Sequence, residues 1–165
     1  MTALRCTQKL LTAMRAKPVA PGSTPCTSRL GEWTMNLLHV RPVKLVLAVS
    51  EHDRLALLLE AAPLSTLTQR FPEALFAHLL TLGVPPDIAR VECNAMQPFS
   101  ITTTGGHANR LSIQGNMNEY TKAVEWGLED GLSLAEMNAR LSQYISKPIG
   151  YQFPGELVKK RLCLR

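Results

Sequence analysis

Two stretches of this sequence carry residues that could hold an anion. The first is Gly105-Gly106-His107 followed by Asn109-Arg110. Glycine lets backbone approach a phosphate closely, and a guanidinium can grip two anion oxygens at once. The second is Gly115-Asn116-Met117-Asn118-Glu119, where a glycine runs into an expected helix start. The first turn of a helix leaves backbone N–H groups without intrahelical partners, and these attract anions. Together the stretches predict a ligand pocket built from Asn109, Arg110, Asn116 and Asn118. Neither G-x-x-x-x-G-K-[ST] nor G-x-G-x-x-G occurs, so no standard phosphate fingerprint is present. Each stretch also has a structural reading. One is a hairpin loop whose glycines supply positive φ, and the other is a capped helix docked on a strand. For Arg110 the competing picture is a surface arginine whose stem covers apolar neighbours.

Cys6 stands beside Arg5 and just before an expected helix start, two features that favour thiolate. A cysteine nucleophile also needs a positioned base, and buried structural cysteine is the commoner case. The cysteines at 6, 26, 93 and 163 form no C-x-x-C pair, and the histidines at 39, 52, 78 and 107 form no H-x-x-x-H. No metal, cofactor or catalytic residue is therefore assigned. Unpatterned cysteines fit a reducing cytoplasm better than a secreted scaffold. No Ser/His/Asp order is recognisable, and Glu129-Asp130 falls on an expected solvent face. Trp33 and Trp126 have polar neighbours, but large aromatics mostly pack.

The charge of +5 over 165 residues is unevenly spread. Residues 1–31 hold five bases and no acid, residues 159–165 hold four bases, and the body between is mildly acidic. Basic ends could form a nucleic-acid face if they fold together. A second nucleic-acid signal is the expected helix pair 116–130 and 134–145, joined tightly at Gly131 like a helix-turn-helix. Its second helix offers only Asn138, Arg140 and Gln143 for base or phosphate contact, and its first is acidic. That composition suits an αα-hairpin packed on a sheet. The 45% apolar content suits a globular fold that needs no disulfide or metal staple. No apolar run approaches the length of a membrane-spanning helix, so no membrane partner is expected.

The elements follow from period and punctuation. An extended stretch at 2–6 leads to a helix over 8–15 capped by Thr7. Residues 16–29, rich in Pro, Ser and Thr, form a long loop. Glu32–Val40, Lys44–Val49 and Arg54–Glu60 read as an antiparallel meander joined by short turns. Pro72 is placed as the first residue of a helix to Leu82, and Pro86 begins another to about 95. Phe99–Thr103 and Leu111–Gln114 both alternate, which predicts a hairpin across the loop Gly105–Asn109. Asn116 with Glu119, and Ser133 with Glu136, read as capping boxes for the helix pair. Pro148 breaks the pattern, and Pro154 opens a last helix to about Leu162. These elements predict a single α+β domain over 1–165: a mostly antiparallel sheet of about five strands, with helices mainly on one face.

The opening Arg5-Cys6-Thr7-Gln8-Lys9-Leu10-Leu11 resembles the start of a small family of uncharacterised bacterial proteins. So do Leu30-Gly31-Glu32-Trp33, the following Asn36-Leu37-Leu38, and Asn109-Arg110 with Gly115, Met117 and Asn118. A tail of Asn138, Leu141, Pro148, Tyr151 and Pro154 completes the resemblance, which spans nearly the whole chain. It implies a co-folded bacterial α+β domain and transfers no catalytic residue. The loop at 16–29 is longer than the family pattern needs. The expected function is that of a non-enzymatic intracellular accessory or binding module. One alternative is a nucleic-acid binder using its basic termini. Another is an enzyme or binder of a phosphorylated or nucleotide-like ligand near Arg110. A protein partner or a second copy of the chain is left open.

Overall fold

The computed structural model describes residues 1–22 and 25–164. Among these residues five strands form one mixed sheet in the order β4-β3-β2-β1-β5. The strands are β1 (Thr2–Cys6), β2 (Trp33–Val40), β3 (Val43–Ser50), β4 (Ala56–Glu60) and β5 (Phe99–Thr103). The meander is as expected: β2 pairs antiparallel with β3, and β3 with β4. The prediction of a mostly antiparallel sheet needs correction at the other end. There β1 lies parallel to both β2 and β5. Two of the four ladders are thus parallel. Parallel neighbours need helical crossovers, and helices α1 (Gln8–Met14), α2 (Leu67–Thr81) and α3 (Pro86–Ala95) lie in these two connections.

The expected hairpin does not form. Residues Arg110–Glu129 make one 20-residue helix, α4, and the arm read as Leu111–Gln114 is its first turn and a half. Ile113, Asn116, Met117, Tyr120, Ala123, Val124 and Gly127 are its buried residues, a helical spacing that runs straight through Gly115. A Cβ at Gly115 would have no neighbour within 4 Å, so nothing there forces a break. Asn116 consequently sits inside the helix and caps nothing. Pro72 also lies inside its helix. A short 3₁₀ turn at Leu64–Thr66 leads into α2, whose buried Leu67, Phe71, Leu75 and Leu79 keep the period on both sides of Pro72.

Ser133 opens helix α5 (Leu134–Leu141) with both bonds of the capping box. Glu136 N–H donates to Ser133 Oγ at 3.2 Å, and Ser133 N–H donates to Glu136 Oε2 at 2.8 Å. This helix ends at Leu141 rather than 145, where Ser142 Oγ donates to the Ala139 carbonyl at 2.6 Å. Helix α6 (Pro154–Cys163) closes the chain. Thr7 caps α1 as expected, its hydroxyl accepting from Leu10 N–H at 3.4 Å.

Side chains alternate along β3 and β4, and the helices cover both faces, not mainly one. Val46, Ala48, Leu57 and Leu59 join the core formed with α1, α2, α3 and α6. Leu45, Leu47, Val49 and Leu58 join a second core under α4 and α5. The continuous apolar run of β3 is the sequence trace of burial on two sides. Gly127 lets α4 approach α5, since a Cβ there would run into Met137 Sδ. The loop that begins at Ala16 meets the outer edge of the sheet at Val19, whose N–H donates to the β5 carbonyl of Ile101 at 2.8 Å. Ser23 and Thr24 of that loop, and Arg165, lie outside the described residues.

Candidate functional site

The polar residues of interest gather around the first half of α4. On its sheet side, Arg5 of β1 lies beside Thr102 and Thr34 in register. Its guanidinium grips Glu32, with Nε 2.7 Å and Nη2 2.5 Å from Oε2. Glu51 follows β3 and accepts His107 Nε2–H at 2.9 Å. The other imidazole nitrogen, Nδ1, accepts the Asn109 N–H at 3.2 Å. Arg54 in the β3–β4 turn is 6% exposed and takes a left-handed φ of 55°. It donates to the Glu51 carbonyl and, at 3.2 Å, to Ser112 Oγ on α4. Its own carbonyl accepts the Tyr120 hydroxyl at 2.8 Å. Burial pulls the Arg54 guanidinium below its usual range, and the Glu51 carboxylate opposes this.

Glu32, Glu51 and His107 bring three candidate metal-ligand atoms within 4.8 Å of one another. Sequence reading missed this group because Glu51 and His107 are 56 residues apart. Its chemistry fits an internal ion-pair network better than a metal centre. Arg5 already pairs with the Glu32 carboxylate, and the Arg54 guanidinium lies close enough to Glu51 to feel its charge. His107 donates from Nε2 and accepts at Nδ1, so a metal at Nε2 would require the other tautomer and cost the Asn109 bond.

On its outer side, α4 faces segment 145–151, which holds a 3₁₀ turn at Lys147–Ile149, across a groove of about 360 Å³. Ser112, Gly115, Asn116 and Glu119 form the helix wall; Ile145, Ser146, Lys147 and Tyr151 belong to the opposite wall. Asn116 is 3% exposed and Ser146 6% exposed. Asn116 Oδ1 and Ser146 Oγ are both buried and without a hydrogen-bond partner among the described residues. An orphaned buried acceptor costs about 1–3 kcal/mol, so two on one groove are an unusual concentration.

Of the four expected ligand residues, only Asn116 lines this groove. Arg110 is the exposed first residue of α4, not the start of a strand. It makes no ion pair or side-chain hydrogen bond among the described residues. Helix rotation of about 100° per residue places Arg110 and Asn118 off the Ser112–Asn116–Glu119 stripe. Asn118 is exposed and accepts from Gln114 Nε2 at 3.1 Å. Asn109 is exposed beside the helix start. Ser146 had no sequence signal, because it lies where a helix was expected to be ending.

Cys6 is the buried structural cysteine of the commoner case, and its surroundings do not favour thiolate. Cys6 is 1% exposed, and burial pushes its pKa up to about 12. The basic ends do meet in space, but three of their arginines are occupied. Arg5 holds Glu32, Arg29 donates to α6 carbonyls including Leu162 at 2.8 Å, and Arg161 bridges the buried Asp53. Lys9, Arg15, Lys17, Lys159 and Lys160 remain exposed. The helix pair packs as an αα-hairpin, with Asn138 of α5 turned into the sheet edge. Its Oδ1 accepts Leu58 N–H at 2.7 Å and its Nδ2 donates to Leu58 C=O at 3.3 Å.

No helix is long and apolar enough to cross a membrane, among the described residues. No curated protein and no solved structure matches the chain. A family model matches residues 3–157, nearly the span over which the motifs from Arg5 to Pro154 are distributed, and on that match the chain belongs to the family described as Domain of unknown function (DUF6933).

Proposed function

We propose that the protein is a non-enzymatic binding module whose α4 groove takes a small nucleoside- or nucleotide-like ligand. The observation that carries this reading is a pair of orphaned buried atoms, Asn116 Oδ1 and Ser146 Oγ, that belong to two residues lining one groove. A base or ribose brings the N–H and O–H donors that Asn116 Oδ1 lacks. Tyr151, Leu111 and Ile145 are exposed large side chains on the rim, suited to a flat ring. Lys147 supplies a cation for a phosphate. A phosphate reaching the helix start would meet Asn109 and Arg110, and Asn118 lies on the exposed side of the same helix. The unpaired cysteines support a reducing compartment, the bacterial cytoplasm.

Thermal shift and calorimetric titration with nucleosides, nucleoside monophosphates and inorganic phosphate test the reading. Binding should raise the melting temperature with ligand concentration. Lys147→Ala should weaken the monophosphate and spare the nucleoside, and Arg110→Ala reports whether the phosphate extends to the helix start. If no nucleoside or monophosphate binds, or if Ser146→Ala and Asn116→Leu leave binding unchanged, the reading fails. Tight, steeply salt-dependent binding of random DNA would instead favour the exposed lysines of the two ends.

A further inference from the structure

A second cleft, of about 250 Å³, opens between α2, α5 and β4 and is independent of the groove above. Its walls are Leu57, Ala74, Ala77 and Ala135, with His78, Thr81 and Asn138 the polar members. Ala77 and Ala135 are exposed at the mouth, and His78 is 5% exposed at depth. The His78 Nε2 atom is buried without a hydrogen-bond partner among the described residues.

The tautomer of His78 follows from its neighbour. Thr81 has one hydroxyl proton, and it goes to the His78 carbonyl at 2.7 Å. The 3.3 Å contact between Thr81 Oγ1 and His78 Nδ1 must then be made by an Nδ1–H donating to Oγ1. A neutral imidazole with its proton on Nδ1 carries a bare lone pair on Nε2. Nδ1 is turned to its own helix, which leaves Nε2 as the unpartnered ring atom of a residue that lines the cleft. Burial favours the neutral ring, holding its pKa down to about 4. With Thr81 and Asn138 committed to other partners, an acceptor without a donor is the polar demand left among the lining residues, and it selects one chemistry.

We propose that this cleft binds a small apolar molecule bearing a single O–H or N–H donor, of the phenol or indole class, with His78 Nε2 accepting that hydrogen. Asn138 is already committed to the Leu58 backbone and contributes no further polar demand.

The test uses p-cresol and toluene, which match in shape and differ in the donor, titrated into the full chain and followed by NMR. The p-cresol titration should saturate, shift the His78 ring resonances and show about a tenfold preference over toluene, the worth of one hydrogen bond. Ala135→Leu fills the mouth at an exposed helix position and should abolish both titrations. His78→Phe keeps a ring and should erase the preference while toluene still binds. Equal binding of the two probes, binding that survives Ala135→Leu, or no saturable shift at His78 would each overturn the proposal. None of these outcomes depends on the α4 groove.

Discussion

Trp33, Phe71 and Phe99 meet edge to face under α2, with ring centroids 5.1 and 5.9 Å apart. Under α4 and α5 Tyr120 and Tyr144 also meet edge to face, at 5.5 Å, but directed bonds are added. Tyr120 bonds the Arg54 carbonyl, Asn138 bonds Leu58 on both its backbone groups, and Arg54 reaches Ser112. One layer is held mainly by apolar volume. The other adds directed bonds to a smaller apolar cluster, and it keeps the orphaned Asn116 and Ser146. Side chains aimed by hydrogen bonds to backbone define a fixed polar surface. A layer held mainly by apolar volume, with few buried polar pairs such as Ser28–Glu92, defines chiefly a shape. The candidate groove accordingly sits against α4, while the α2 side supplies stability.

The largest expected effect breaks the apolar layer. Phe71 is fully buried between two rings, and Phe71→Ala leaves a cavity that α2, bound to the sheet on both sides of it, cannot close. The expected loss is about 3–5 kcal/mol, read as a fall in denaturation midpoint at constant slope. A loss below that range would mean the layer collapses onto the vacated space and is less rigid than its packing implies.

A pH experiment probes His78, a buried titratable group of α2 with an unpartnered ring nitrogen. The folded His78 has its pKa held down to about 4 by burial, against an ordinary value of 6.5. Between those values the unfolded chain binds a proton that the folded chain does not. The stability from a neutral His78 is therefore complete above pH 6.5 and is lost as pH falls toward 4, by about 3 kcal/mol. Denaturation at pH 7 and pH 4.5 measures it. His78→Phe should remove this part of the pH dependence, and an unchanged dependence would place its origin in the carboxylates.

The hydrogen-bonded layer is broken at Asn138. Truncation to alanine leaves Leu58 N–H and C=O without their side-chain partner at the outer edge of β4. Asn138→Ala should cost about 2 kcal/mol, large for so small a change in apolar area. If the cost falls under about 0.5 kcal/mol, water replaces the amide and the contrast between the layers weakens.

What could be read from the sequence divides along a related line. The Ser133–Glu136 box and the β2–β3–β4 meander are local: their partners are three residues apart or joined by short turns. Leu111-Ser-Ile113 was ambiguous because three residues satisfy a period of 2 as well as the start of a period of 3.6. Gly115 then looked like a boundary. Only the burial of Ile113, Met117 and Tyr120 together settles the helix. The parallel position of β1 was hidden for another reason. Its partner Phe99 lies 97 residues away from Thr2, and nothing in a five-residue strand names a partner. The Arg5–Glu32 and Glu51–His107 pairs are invisible for the same cause. Asn116 was singled out for the wrong local role, as a cap, and still lines the groove.

The smallest effect tests the local end of this scale. Ser133 caps α5, and its box is complete in both directions, so Ser133→Ala removes the acceptor for Glu136 N–H. The expected cost is about 1 kcal/mol. Ser133 and Glu136 are exposed, so water can take over part of the lost bond, and this keeps the effect below that of Asn138→Ala. The cap also fixes where α5 begins, and α5 carries both Asn138 and Met137 onto the sheet. Ser133→Ala and Asn138→Ala should therefore cost more together than the sum of the single changes if fraying at the cap reaches the second turn. If they add, the two bonds act independently, and α5 is held by its packing against Gly127 and the sheet rather than by its start. A double-mutant cycle in urea decides between these. An unchanged midpoint in Ser133→Ala alone would mean that the Glu136 side chain and solvent suffice to cap the helix.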